Sequence, residues 1–343
     1  MRPLRTTRNA RGSRMRLAPP VLAAVALAAA GSLAACGSGS SGSSGSGSGS
    51  SGGTKTIAVV PKSVGLFYWG TVHAGAEAAA KKNHVNIIWK GTETETDVSG
   101  QVNILQDFIN RHVDGIAFAA SDAHGLVGQA NAAKAQGIPV VNIDSGLSPQ
   151  TPPLVATDNI AAASKAADIL HQLVGSGQVA LLPFVPSAET SIQRQKGFQD
   201  ELKKYPGMQL AAVQYDQSQI SQALSETENI LTAHPGLKGI FAANEPGVIG
   251  VVHALQERGL VGKVKVVGFD NAPDEVSALS AGQISALIVQ NPYQIGYQGV
   301  QEVLDVINHK SVPPSVDTGS TVVTKANMNQ PSIHSILVPP TVG

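Results

Sequence analysis

The chain has 343 residues, enough for about two domains. Lys+Arg and Asp+Glu number 24 each, but six of the arginines (Arg2, Arg5, Arg8, Arg11, Arg14 and Arg16) fall in the first 16 residues, and no acid precedes Glu77. The remainder carries 18 basic against 24 acidic residues, a net charge of −6 that argues against a nucleic-acid partner. A single cysteine excludes an internal disulfide and a four-cysteine zinc site, and the apolar stretch from Leu17 to Ala30 is too short to suggest a polytopic membrane protein.

Residues 1–36 follow the secretory pattern of an arginine-rich start, an apolar run and small residues. They end in Leu33-Ala34-Ala35-Cys36, which resembles the lipobox of bacterial lipoproteins, in which the cysteine becomes the lipidated mature N-terminus. Residues 37–53 are only glycine and serine, a flexible tether spanning roughly 20–25 Å root-mean-square. Together these predict an extracytoplasmic body, lipid-anchored at Cys36 to the cell membrane.

From Thr56 the apolar pattern alternates between short runs and helical stripes. Strands are expected at 57–60, 85–89, 115–119 and 138–143. Helices are expected at 74–82, 98–113 and 126–135. The alternation resumes with strands near 179–182, 210–214, 239–242, 264–267 and 286–289. Uninterrupted alternation predicts parallel sheets covered by helices on both faces. Val140-Val141-Asn142-Ile143-Asp144-Ser145 also matches Val266-Val267-Gly268-Phe269-Asp270-Asn271, and Gly115–Asp122 resembles Gly239–Glu245 at nearly the same offset. Two similar α/β lobes are therefore expected. Ligands of open α/β sheets bind beyond the carboxyl ends of the strands, so Asp144 and Asp270 are expected to share one cleft.

Fourteen aromatic residues are spread through the chain, yet Phe67-Tyr68-Trp69 are consecutive. Read as a loop after the first strand, they offer a stacking platform for a sugar ring; read as the start of the next helix, they are core. Asp144 and Asp270 can accept bonds from paired hydroxyls, and Asn244 and Gln290 offer donor and acceptor together. Lys62, at the end of the first strand, pairs with a cleft carboxylate or contacts ligand oxygens, unless it is a solvated loop lysine. No nucleophile elbow, phosphate loop or metal-spaced cluster occurs, so no cofactor is expected and catalysis is the weaker reading. A surface-anchored glycoside hydrolase using the two carboxylates is a distant alternative.

The residues from Thr56 onward resemble the type I periplasmic binding proteins of ABC sugar importers, in the ribose-binding group. The segments that carry the likeness are Ile57–Pro61, Val140–Asp144, Thr157-Asp158-Asn159, Phe241–Glu245, Val266–Asp270 and Val289–Gly296. The resemblance implies two Rossmann-like lobes joined by three crossovers, with lobes at 54–157 plus 291–317 and 158–290 plus 318–343. It places sugar contacts at Tyr68 and Trp69 (ring stacking), Asp144, Asn244, Asp270 and Gln290. It also implies permease subunits as partners and a monomeric binder; a binder that passes a sugar or autoinducer-2-type signal to a membrane sensor is the alternative. Three departures stand out: Ser145 replaces a family arginine, a second family arginine aligns with Ile192 with Arg194 nearby, and a cleft asparagine is replaced near Leu66. Val60–Gly65 and Val98–Val102 look like the branch of rhamnose and autoinducer-2 binders, in which the lysine at Lys62 touches ligand.

Overall fold

The computed structural model describes residues 53–341; the secretion signal, Cys36 and nearly all of the Gly/Ser tether lie outside them. The first lobe begins β1 (Thr56–Val60), α1 (Phe67–Asn83), β2 (Asn86–Trp89), α2 (Val98–Asn110), β3 (Gly115–Phe118), α3 (Val127–Ala135), β4 (Val140–Ile143) and β5 (Leu154–Ala156). The second follows with α4 (Asn159–Val174), β6 (Gly177–Leu182), α5 (Glu189–Leu202), β7 (Met208–Val213), α6 (Ile220–Ala233), β8 (Leu237–Ala242), α7 (Glu245–Glu257), β9 (Lys265–Phe269), α8 (Pro273–Ala281) and β10 (Ala286–Gln290). The chain then returns through α9 (Pro292–Ile307) to β11 (Ser315–Asp317), and crosses again to β12 (Ser320–Val323) and α10 (Pro331–Leu337).

Two six-stranded sheets result, ordered β11-β5-β4-β3-β1-β2 and β12-β10-β9-β8-β6-β7. The orders are the same once β6 is set against β1, β8 against β3 and β9 against β4, so the duplication legible in the sequence is a duplication of topology. Central strands such as Ile57–Val60 and Gly115–Phe118 are buried along their whole length, because helices cover both faces. The expectation of wholly parallel sheets needs one correction: β12 runs antiparallel to β10. It arrives from the other lobe by a turn at Gly319 rather than through a covering helix, and φ there is +78°. β11 keeps the parallel sense on β5.

Each lobe has one core layer on either face of its sheet. In the first lobe α1 and α9 cover one face and α2 and α3 the other. Helices α1 and α9 meet backbone to backbone: a Cβ on Gly75 would collide with the Tyr293 carbonyl, and one on Gly296 with that of Val72. In the second lobe α4 and α5 cover one face, and α6, α7, α8 and α10 the other.

The chain passes between the lobes three times: after β5, after β10 and between β11 and β12. The first and third crossings are stitched together. Asp158 N donates to Asp317 Oδ1 at 3.0 Å, and Thr318 N donates to the Ala156 carbonyl at 2.9 Å. The second lies beside the third, since Gln290 pairs with Ser320.

Candidate functional site

In both sheets the strand order reverses direction beside β1 and β6, and the loops leaving the carboxyl ends of the strands meet between the lobes. A narrow cavity lies there, tightly surrounded by side chains from both lobes. All seven residues expected from the sequence line it: Lys62, Tyr68, Trp69, Asp144, Asn244, Asp270 and Gln290. Lys62 follows β1, Asp144 follows β4, Asn244 follows β8, Asp270 follows β9, and Gln290 ends β10.

The three aromatics do not form a loop. They are the first turn of α1, which begins seven residues earlier than the apolar stripe from Ala74 predicts. The helix start carries no side-chain cap of its own, so the usual Ser/Asp signal is missing. Tyr68 and Trp69 pack edge to face at 5.0 Å and belong to the first-lobe core while also facing the cavity. Their polar ends are tied down: Tyr68 OH donates to Asp144 Oδ1 at 2.7 Å, and Trp69 Nε1 to Glu95 Oε1 at 2.9 Å. Burial and the nearby Asp144 and Asp270 carboxylates hold the Tyr68 phenol far above its ordinary pKa, so it stays a donor.

Lys62 is only 3% exposed and is no solvated loop lysine. Its Nζ sits 2.9 Å from Asp144 Oδ2 and donates to Thr190 Oγ1 of the second lobe at 3.1 Å. On the far side Asp270 Oδ1 accepts from Gln290 Nε2 at 2.7 Å and Oδ2 from the Glu245 backbone at 3.2 Å. Burial pushes the Asp270 carboxyl pKa up, against the pull of Arg194 and Gln290. Gln290, which lines the cavity, has a buried Oε1 with no hydrogen-bond partner among the described residues, an acceptor free for a donor.

Residues outside the expected set complete the wall: Leu66, Glu95, Phe184, Arg194, Glu245 and Pro246. The arginine at the cavity is Arg194, not a residue at the aligned position 192, where Ile192 is exposed. Arg194 Nε donates to Asn159 Oδ1 and Nη1 to the Ala243 carbonyl, each at 2.7 Å, and its guanidinium lies 3.8 Å above the Phe269 ring. About half a turn of helix separates the buried from the exposed face of α5, so an alignment slip of two residues exchanges them. Glu95 had no distinguishing signal within its polar stretch, and Glu245 ends the repeated Gly239–Glu245 segment, but nothing within its own lobe marks its carboxylate as one that crosses the cleft.

Glu245 begins α7, which is N-capped by Asn244 accepting from Gly247 N at 3.0 Å. Its carboxylate crosses the cleft and accepts from Phe67 N at 3.2 Å and Tyr68 N at 3.1 Å, satisfying two orphan donors of α1. Burial, aided by Asp270 and Glu95, raises its pKa to about 7 against the pull of those two amides. Glu95 reaches the other way: its Oε2 accepts from Ser218 Oγ of the second lobe at 2.6 Å. With Ala123 N bonded to the Ser187 carbonyl at 2.8 Å, the lobes are closed on each other. The site is thus a polar chamber with carboxylates on both walls, suited to gripping a small polyhydroxylated molecule.

Comparison with known proteins gives the same picture. Residues 57–311 match the family model of the periplasmic binding protein domain. The D-allose-binding periplasmic protein of Escherichia coli K12 is 30% identical over 267 residues, 75% of this chain and 86% of that protein. A solved ABC transporter solute binding protein from Agrobacterium vitis with bound D-fucose is 37% identical, with a TM-score of 0.80 over 82% of this chain and all of its own. A carbohydrate transporter solute binding protein from Agrobacterium radiobacter in complex with D-arabinose is 35% identical, with a TM-score of 0.80 over 83% of this chain and 99% of its own.

Proposed function

The chain belongs to the periplasmic binding protein family, whose members bind solutes and are not enzymes, and we propose that it is the extracytoplasmic sugar-binding component of an ABC importer. The observation that carries this reading is the placement of Asp144 and Asp270 on opposite walls of one interlobe cavity, at the carboxyl ends of equivalent strands. A monosaccharide with hydroxyls on both ring edges would bond to both walls at once. Only the closed arrangement supplies both walls, so ligand shifts the lobes toward closure and the closed body is what the permease receives.

The ligand contacts in this reading are Asp144, Asn244, Asp270 and Gln290 through hydrogen bonds, and Tyr68 and Trp69 through their rings. Lys62, the mark of the likeness to rhamnose and autoinducer-2 binders, joins them if it releases part of its hold on Asp144. The moving bodies are 54–157 with 291–317 and 158–290 with 318–343, a division supported by the sheet each strand joins. Anchoring through lipid on Cys36 rests on the lipobox-like quartet and is checked by mass spectrometry of the membrane-extracted protein. It would act as a monomer against its permease.

Isothermal titration against pentoses, hexoses, 6-deoxyhexoses including rhamnose, polyols and autoinducer-2 tests the function. Micromolar binding to at least one sugar is expected. Binding no tighter than millimolar across the panel would overturn the reading.

A further inference from the structure

Two carboxylates at the cavity rim face the wrong way for simple ligand contacts. Glu95, on the loop after β2 of the first lobe, gives its second oxygen to Ser218 of the second lobe. Glu245, at the start of α7 of the second lobe, gives both oxygens to the first two amides of α1 in the first lobe. Each side chain is nearly buried, at 6% and 7% exposure, and each is fixed at its other end within its own lobe. Glu95 Oε1 holds Trp69 Nε1, and the Glu245 backbone N–H holds Asp270 Oδ2. Ser218 is itself steadied by Asn244 Nδ2 at 3.1 Å.

The pair is therefore reciprocal: one acidic side chain crosses in each direction, and each is tied to a residue of the opposite function, an aromatic wall or a carboxylate. When the lobes part, both carboxylates lose their cross-cleft donors. Two amides of α1 and the Ser218 hydroxyl then turn to water.

We propose that Glu95 and Glu245 are paired cross-cleft latches, positioning residues that set the open–closed equilibrium and thereby the affinity for ligand without depending on contact with it. This rests on the binding-protein reading only for its affinity arm. In a protein whose binding-competent state is the closed one, apparent affinity scales with the closed fraction. Truncating Glu245 leaves two amides without a partner in the closed form only, which should cut the closed fraction and the affinity together, by roughly ten- to hundred-fold. Truncating Glu95 removes one cross-cleft bond and should cost less.

The test measures lobe separation directly. Spin labels on Lys90→Cys in the first lobe and Ser225→Cys in the second, with Cys36→Ser, report the interlobe distance by electron–electron double resonance. Ligand-free protein bearing Glu245→Ala should shift from the short toward the long distance, Glu95→Ala less so, and Glu245→Gln, which keeps one acceptor, should fall between wild type and Glu245→Ala. Sugar titrations should then show affinity falling in the same order and by the same factor as the closed fraction. An unchanged ligand-free distance in Glu245→Ala overturns the proposal: with lost affinity it makes Glu245 a ligand contact, and with only a lower melting temperature it makes it a structural cap. If no sugar binds to any form, the transport reading fails, and the distances alone still judge the latches.

Discussion

Asp144 and Asp270 occupy the same place in their two lobes, directly after β4 and β9, and both hold a left-handed backbone, with φ of 58° and 85°. Aspartate and asparagine tolerate this conformation far better than other non-glycine residues, because their short side chains bond locally. They are also joined across the cleft by successive hydrogen bonds: Asp144 to Tyr68 OH, Tyr68 N to Glu245, and Glu245 N to Asp270.

Asp270→Asn should therefore separate charge from backbone. The left-handed turn survives, and since burial raises the Asp270 pKa, the neutral amide should leave the melting temperature unchanged or higher. Sugar affinity should fall by about tenfold or more, as a charged acceptor is exchanged for a neutral one. Asp270→Ala should lose both affinity and stability. Titration calorimetry and thermal melting of the two variants check this.

The Lys62–Asp144 contact is buried, so its halves should not be separable. Removing one partner of such a pair costs about 3–5 kcal/mol, because the other is left as an uncompensated charge. Lys62→Met and Asp144→Asn, which keeps the left-handed turn, are each expected to lower stability by that order, and the double variant to recover much of the loss. Binding should be lost in all three. A denaturant-melting double-mutant cycle that came out additive would remove the pair from the account.

Closure should take up protons. With the lobes apart Glu245 is in water, where its pKa is near the ordinary 4.5; closed, it rises to about 7. A group raised in the closed state favours that state fully below its open-state pKa and loses the contribution as pH rises through the closed-state value. Affinity should therefore strengthen as pH falls from about 7 toward 4.5, by up to about tenfold per pH unit, and level off above about 8. Asp270, also raised by burial, contributes in the same direction. Glu245→Gln should flatten most of this dependence in calorimetry run from pH 5 to 8.5.

Arg194→Ala should abolish measurable sugar binding, whereas Ile192→Ala should change it less than twofold. Arg194 is buried between Phe269 and Phe184 and holds Asn159 and the Ala243 carbonyl in place, while Ile192 faces solvent. Arg194→Lys cannot keep the planar stack and both bonds, so a loss of at least tenfold is expected there too.

Much of this fold was readable from the chain. Runs such as Ile57–Val60 and Ala286–Val289 are apolar throughout, because both faces of their strands are covered, and the repeated Val-Val-x-x-Asp exposed the duplication. Two short strands were not readable: β5 and β11 have three residues each and follow Pro152-Pro153 and Pro313-Pro314, which look like plain loop. The start of α1 was hidden because its cap, Glu245, lies 178 residues away from Phe67. The same cause explains the missed wall residues. Strand-end aspartates advertise themselves within one lobe, but Glu95 and Glu245 acquire a role only from what the opposite lobe places before them.

The stitched crossings carry one more consequence. With the Asp158–Asp317 and Thr318–Ala156 bonds binding the first and third connections, and Gln290 seated on the second beside Ser320, sliding of one half past the other would break these bonds, whereas a swing about the line they define would not. The bonded connections thus favour a swing, a jaw angle, over a slide. Gln290 stands beside that line and also lines the chamber, so the chamber wall and the pivot share a residue.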